Sequence, residues 1–177
     1  MQKFRPVIIG VGSLLGLAIL LAIVGYLLPA SYKVQRSVVI QAPMDTVFNT
    51  IHDLKNWGAW NPWSDEDAYF SVHYSEKTTG EGAWQHWTSQ TMGNGMMRYT
   101  KVVPQEFIQY EMEFEMGDES TVGKFVFEEV NEGVQVTWVD EGSMGANPLQ
   151  RYMGLFMESI IGSDFEKGLA NIKQVCE

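Results

Sequence analysis

From Tyr69 to Glu141 the chain alternates between apolar and polar positions. Ile108, Tyr110, Met112, Phe114 and Met116 share one parity, and Glu111, Glu113 and Glu115 hold the other. A period of two with this division describes a strand with one packed face and one wet face. Phe125 and Phe127 likewise oppose Lys124, Val126 and Glu128, and Val134, Val136 and Trp138 oppose Gln135 and Thr137. The pattern predicts strands over 70–75, 82–89, 96–103, 106–116, 121–130 and 134–141. Turn residues separate them at Thr79-Gly80, Gly93-Asn94-Gly95, Met116-Gly117-Asp118 and Asn131-Glu132-Gly133. Six short-linked strands make an antiparallel meander. A seventh strand is predicted over 33–40, with Val34, Arg36, Val38 and Ile40 on one parity. Pro43 then suits the first turn of a short helix over 44–51, and 53–57 suits a second helical turn.

After Pro148 the period lengthens to that of a helix, in two stripes. Leu149, Tyr152, Met153, Phe156 and Ile160 form the first; Ile161, Phe165, Leu169, Ile172 and Cys176 form the second, well over 100° around. The change of stripe falls at Gly162-Ser163, and Ser163 with Glu166 has the spacing of a capping box. The expectation is one helix over 149–161, a break, and a second helix from Asp164. Gly154, Gly162 and Gly168 each cost about 1 kcal/mol inside a helix, so they mark close approach to a neighbour or a ligand. One apolar sheet face needs a cover, and these helices are the long element available. The fold class is α+β: a curved seven-stranded antiparallel sheet around C-terminal helices.

Ahead of this domain, an uncharged apolar run extends from Val7 to Leu28. As a helix it would reach about 33 Å, enough for a bilayer core. A cleaved signal peptide is the alternative, but Leu28-Pro29-Ala30 puts Leu where cleavage wants a small residue. The division expected is 1–6 as a flank, 7–28 as a single-pass transmembrane helix, 29–32 as a linker and 33–177 as the folded domain. Lys3 and Arg5 before the run favour a cytoplasmic N-terminus, with the domain on the periplasmic side of a bacterial inner membrane. Gly12 and Gly16 have the spacing of a helix-packing pair, which allows weak self-association.

Charge narrows the partners. All 22 acidic residues and ten of the 12 basic ones follow the apolar run, a difference of −12. That balance excludes nucleic acid as a partner, because binding it rests on neutralising phosphates. Cys176 is the one cysteine, so neither an intrachain disulfide nor a cysteine zinc cluster can form. Its place on an apolar stripe reads as a buried hydrophobe. His52, His73 and His86 have no metal-ligand spacing, so no metal and no cofactor are expected.

Several local motifs occur together: Trp57-x-x-Trp60-Asn61-Pro62-Trp63, Gly82-Ala83 with Trp87, Gly93-x-Gly95, Pro104 before a strand, Val136-Thr137-Trp138, and Gly168-Leu169-Ala170-Asn171-Ile172-Lys173. In this order the chain from Tyr32 to Glu177 resembles the polyketide cyclase/dehydrase-like branch of the START-like (SRPBCC) superfamily. The resemblance implies a helix-grip fold with a deep cavity between sheet and long helix, and binding of a hydrophobic small molecule or lipid. It does not imply one reaction, since relatives include carriers and cyclases.

The residues themselves leave three functions open: a membrane-anchored binding module, a cyclase or dehydratase acting without metal, and an interaction module whose cavity is filled by its own side chains. For ligand contact the inward parities nominate Trp60, Trp87, Met112, Phe114, Phe125, Phe127, Trp138, Met153, Phe156 and Met157, because large rings and adaptable Met line most small-molecule sites. For chemistry the candidates are Asp140, on the parity of Trp138 and able to act as an acid in an apolar pocket; Arg98, able to pair with Asp140 or a ligand carboxylate; and His86, between Trp84 and Trp87. The helix over 149–161, carrying Met153 and Met157, is expected to act as a gate hinged at Gly162.

Overall fold

The computed structural model describes residues 5–63, 67–115 and 120–177, with side chains from 12 onward. Helix α1 (Arg5–Leu27) leads into strand β1 (Ser31–Ile40). Helix α2 (Met44–His52) and a 3-10 turn (Leu54–Ala59) follow, then strands β2 (Ser71–Tyr74), β3 (Trp84–Thr88), β4 (Gly95–Val103), β5 (Phe107–Phe114), β6 (Ser120–Val130) and β7 (Gly133–Ser143). Helices α3 (Pro148–Gly154) and α4 (Met157–Cys176) complete the chain. The expected turn at Met116-Gly117-Asp118 lies outside the described residues.

The strands form one seven-stranded antiparallel sheet in the order β1-β7-β6-β5-β4-β3-β2. Strands β2 to β7 are the meander, and β1 pairs with β7 over its whole length. The parities sort as the alternation requires: Ile108, Tyr110, Phe125, Val136 and Trp138 are buried, while Glu111 and Glu113 stay near solvent. The first strand starts at Ser31, two residues before the expected start, so Tyr32 belongs to the sheet.

Packing of α4 across the concave face explains its glycines. A Cβ on Gly168 would stand 2.8 Å from Trp138 Cζ3. Trp138 in turn stacks on Phe165, with ring centroids 4.0 Å apart and planes at 6°. On Gly162 a Cβ would meet the Arg36 guanidinium, which reaches from β1 to Glu158 and Glu166 of α4. Beneath the helix, Trp57 Nε1 donates to the Ile51 carbonyl at 2.8 Å, Trp60 Nε1 to the Thr50 carbonyl at 3.2 Å, and Trp138 Nε1 to the Tyr110 hydroxyl at 2.8 Å. Each buried indole thus places its ring in the core and its one polar atom on an acceptor.

The break between C-terminal helices is not at Gly162-Ser163. It falls at Leu155 and Phe156, and Gly162 and Ser163 lie inside α4. Ser163 Oγ points back to the Ile160 carbonyl and caps nothing. The two stripes reflect two environments instead. The second faces the sheet, where Phe165, Leu169 and Ile172 are buried, whereas Leu149, Met153, Phe156 and Ile160 of the first are exposed.

Helix α1 docks on α3. Arg151 donates from Nη1 to the carbonyls of Tyr26 and Leu28 at the C-terminal end of α1, at 2.9 and 3.3 Å. A cation there satisfies carbonyls that the helix leaves open. Tyr152 donates its hydroxyl to the Leu21 carbonyl at 2.8 Å, and a Cβ on Gly25 would stand 2.6 Å from the Pro148 carbonyl oxygen. Among the described residues no helix is long and apolar enough to cross a membrane.

Candidate functional site

A cavity of about 420 Å³ opens between the concave sheet face and α4. Its walls come from every layer: Trp57 and Trp63 from the segment after α2, Trp87 from β3, Met112 and Phe114 from β5, and Met157, Ile161 and Phe165 from α4. The lining is mostly ring, thioether and aliphatic carbon, as suits an apolar ligand.

One polar cluster sits in this wall. Asp140 of β7 is 5% exposed. Its Oδ1 accepts the Tyr32 hydroxyl proton at 2.8 Å and its Oδ2 accepts that of Thr121 at 3.2 Å. Tyr32 comes from β1 and Thr121 from β6, so the carboxyl is held by both neighbouring strands. Glycine makes room for this arrangement. A Cβ on Gly142 would run into the Tyr32 ring, and one on Gly123 into the Tyr110 ring. Burial pushes the Asp140 carboxyl above the usual carboxylate range, against the pull of its two hydroxyl donors. Tyr32 is raised too, by burial first and by the adjacent Asp140, so both stay in their protonated phenol and hydrogen-bonded carboxyl roles more readily than in water. At another point of the wall, Asp164 Oδ2 accepts from Trp63 Nε1 at 2.9 Å.

Of the nominated ligand contacts, Trp87, Met112, Phe114 and Met157 line the cavity. Trp60, Phe125, Phe127 and Trp138 do not; they are consumed by the core beneath it, where Trp60 meets Trp138 edge-on at 5.7 Å. Met153 and Phe156 point away from it, 55% and 57% exposed, because the first apolar stripe faces outward. Of the helix over 149–161 expected as a gate, Met157 and Ile161 line the cavity while Met153 does not, and the expected hinge Gly162 lies inside α4.

Of the three chemical candidates only Asp140 reaches the cavity. Arg98 is exposed on the convex face, in register with Glu111, and cannot meet Asp140. His86 is on the same outer face, 3.3 Å from Glu115. Even-numbered positions of β3 point outward while Gln85 and Trp87 point in. His52 accepts the Gly80 backbone proton at 2.9 Å and serves structure. Among the described residues no cluster of three or more His, Cys, Asp or Glu side chains gathers to hold a metal.

Tyr32, Gln85, Thr121, Trp63 and Ile161 line the cavity without having been nominated. Parity carried the signal for the first two: Tyr32 is in phase with Val34 and Ile40, and Gln85 with Trp87. A lone Gln on an inward parity is the kind of departure from pattern that marks a site.

Residues 31–177 match the family model described as polyketide cyclase / dehydrase and lipid transport. The chain belongs to this family. Solved structures agree on the fold. A Chromobacterium violaceum protein is 17% identical, with a TM-score of 0.60, over 82% of this chain and 96% of its own. A hypothetical protein of Helicobacter pylori is 8% identical, with a TM-score of 0.63, over 82% of this chain and 88% of its own. The di-domain ARO/CYC StfQ from the steffimycin biosynthetic pathway is 9% identical, with a TM-score of 0.62, over 83% of this chain but 51% of that protein. No curated protein matches. At these identities the likeness establishes the helix-grip architecture, and function rests on the cavity.

Proposed function

We propose that this family member binds a hydrophobic small molecule or lipid in the cavity between sheet and α4. The observation that carries the reading is an open apolar volume of about 420 Å³. A volume of that size suits a ligand pocket, and it speaks against an interaction module whose cavity is filled by its own side chains. Native mass spectrometry of the full chain released from its host tests the reading. The expected result is a one-to-one small-molecule adduct that extraction removes and added ligand restores. A chain that flies bare and takes nothing back contradicts it.

The second reading, a cyclase or dehydratase, draws on the Asp140–Tyr32–Thr121 cluster. A carboxyl raised by burial and facing an apolar ligand can donate a proton. No second titratable group joins Asp140 within that hydrogen-bonded cluster except the Tyr32 phenol. Asp140→Asn separates the two readings: it leaves ligand retention largely intact in a binding protein and stops turnover in an enzyme.

The proposal extends to the N-terminal helix, which we read as a single-pass anchor with the domain on the periplasmic side. Support comes from the uncharged run 7–28 and from the outward exposure of Leu14, Leu15, Leu17, Ile19, Leu20 and Ile23 around α1. Such side chains on all sides of one helix suit lipid better than water. Gly12 and Gly16 have open space beside them, which leaves room for weak pairing of two such helices. Reporter fusions on either side of the run test the topology, and a cytoplasmic domain would contradict it.

A further inference from the structure

The registers place one row of inward side chains across five strands. Gln85 of β3 pairs with Met97 of β4, Met97 with Met112 of β5, Met112 with Thr121 of β6, and Thr121 with Gly142 of β7. Directly paired residues in antiparallel strands share a face. The row therefore runs polar, apolar, apolar, polar, from the Gln85 amide to the Thr121 hydroxyl that bonds Asp140. Three interstrand steps separate the two polar groups, roughly 14 Å along the sheet.

Gln85 is the unusual member. It is 6% exposed and lines the cavity. Among the described residues its side-chain amide is neither hydrogen-bonded within the protein nor sealed from solvent, so its two donors and one acceptor face open cavity space. An amide that faces an apolar cavity without an internal partner is available to a polar group of a ligand. Its ladder position fixes the backbone between β2 and β4, so the side chain has only the cavity to address. At the far end each Asp140 oxygen accepts one hydroxyl proton from within the protein. A carboxylate oxygen can accept a second.

We infer that the cavity's ligand is an elongated apolar molecule with a polar group at each end: a group that both donates and accepts, held by Gln85, and a hydrogen-bond donor held beside Asp140. Met112 supplies apolar floor between them, and Met97 is buried in the core at the same level of the sheet. This inference rests on the binding reading above and narrows its ligand class. It disfavours molecules with a single polar head and a plain hydrocarbon tail, which would bury Gln85 against carbon.

Three probes of one chain length test it: undecanol, undecanamide and ω-hydroxyundecanamide. Binding is read from tryptophan fluorescence of the full chain in amphipol, with amphipol alone as the blank. The parent should bind ω-hydroxyundecanamide about tenfold more tightly than either single-ended probe. Gln85→Met keeps the volume and should erase the preference over undecanol. It should melt cooperatively and no lower than the parent. Asp140→Leu, at the opposite end, removes the proposed acceptor and should weaken the two hydroxylated probes while leaving undecanamide unchanged. If the parent binds all three alike, or Gln85→Met keeps its preference, the two-ended ligand is wrong while the binding reading survives. If none of the probes binds the parent, the binding reading fails and the inference with it.

Discussion

Buried Asp140 and half-buried His52 carry opposite pH signatures. Asp140 has its carboxyl raised by burial. The folded state then holds the proton more tightly than the unfolded chain. The stability it contributes is present below the ordinary carboxylate range and is lost as pH rises through the raised folded value. Asp140→Asn removes that loss, so the melting temperature of the variant should gain on the parent between acid and neutral pH. A pH-independent difference between the two melts would refute the assignment. His52 is lowered, by burial first. Its contribution is present above the ordinary histidine range and is lost as pH falls through the lowered folded value. His52→Gln, which can still accept from Gly80, should flatten the acid limb of the parent's stability curve in urea titrations; an unchanged limb would exclude His52 as its source. The alternation of β7 identified Asp140, because Asp140 is in phase with Trp138. Its two hydroxyl partners were hidden, since they come from strands whose register is set by pairing and not by local pattern.

At the scale of elements, α4 tests what its glycines are for. Gly→Ala in a helix gains about 1 kcal/mol from propensity. At Gly162 the obstacle is the tip of Arg36, a flexible side chain near solvent that can swing aside. Gly162→Ala should therefore be neutral or mildly stabilising. At Gly168 the obstacle is the Trp138 ring, fully buried and stacked on Phe165. Overpacking there costs about 1–3 kcal/mol, so Gly168→Ala should be net destabilising despite the better propensity. Chemical denaturation of both variants gives the comparison, and equal effects would mean that α4 is not seated as described. The strands were legible because each has one wet and one dry face. The helix break was not. Two apolar stripes at different angles read as two helices meeting at a glycine, whereas α3 carries an outward apolar face of its own and α4 runs through Gly162 unbroken.

For the whole molecule, the cavity is what remains between a concave sheet and a helix held off it by large side chains. Composition announced the rings and thioethers but not their division of labour. Trp60, Phe125 and Trp138 fill the core, and Trp57, Trp63 and Trp87 reach the cavity. Parity cannot separate Trp87 from Phe125 and Trp138, which point to the same side of the sheet, and it says nothing of Trp57, Trp60 and Trp63, which lie outside the strands. Met157 stands at the start of α4 on the cavity wall. Replacing it with Trp fills space the ligand would need without reaching the Trp138–Phe165 stack. The most direct measurement is the stoichiometry of an apolar fluorescent probe on the full chain, parent against Met157→Trp. Saturable one-to-one binding by the parent, lost in a variant that still melts cooperatively, is the predicted result. Equal binding by both proteins, or uptake that never saturates, would contradict a ligand site between the sheet and α4.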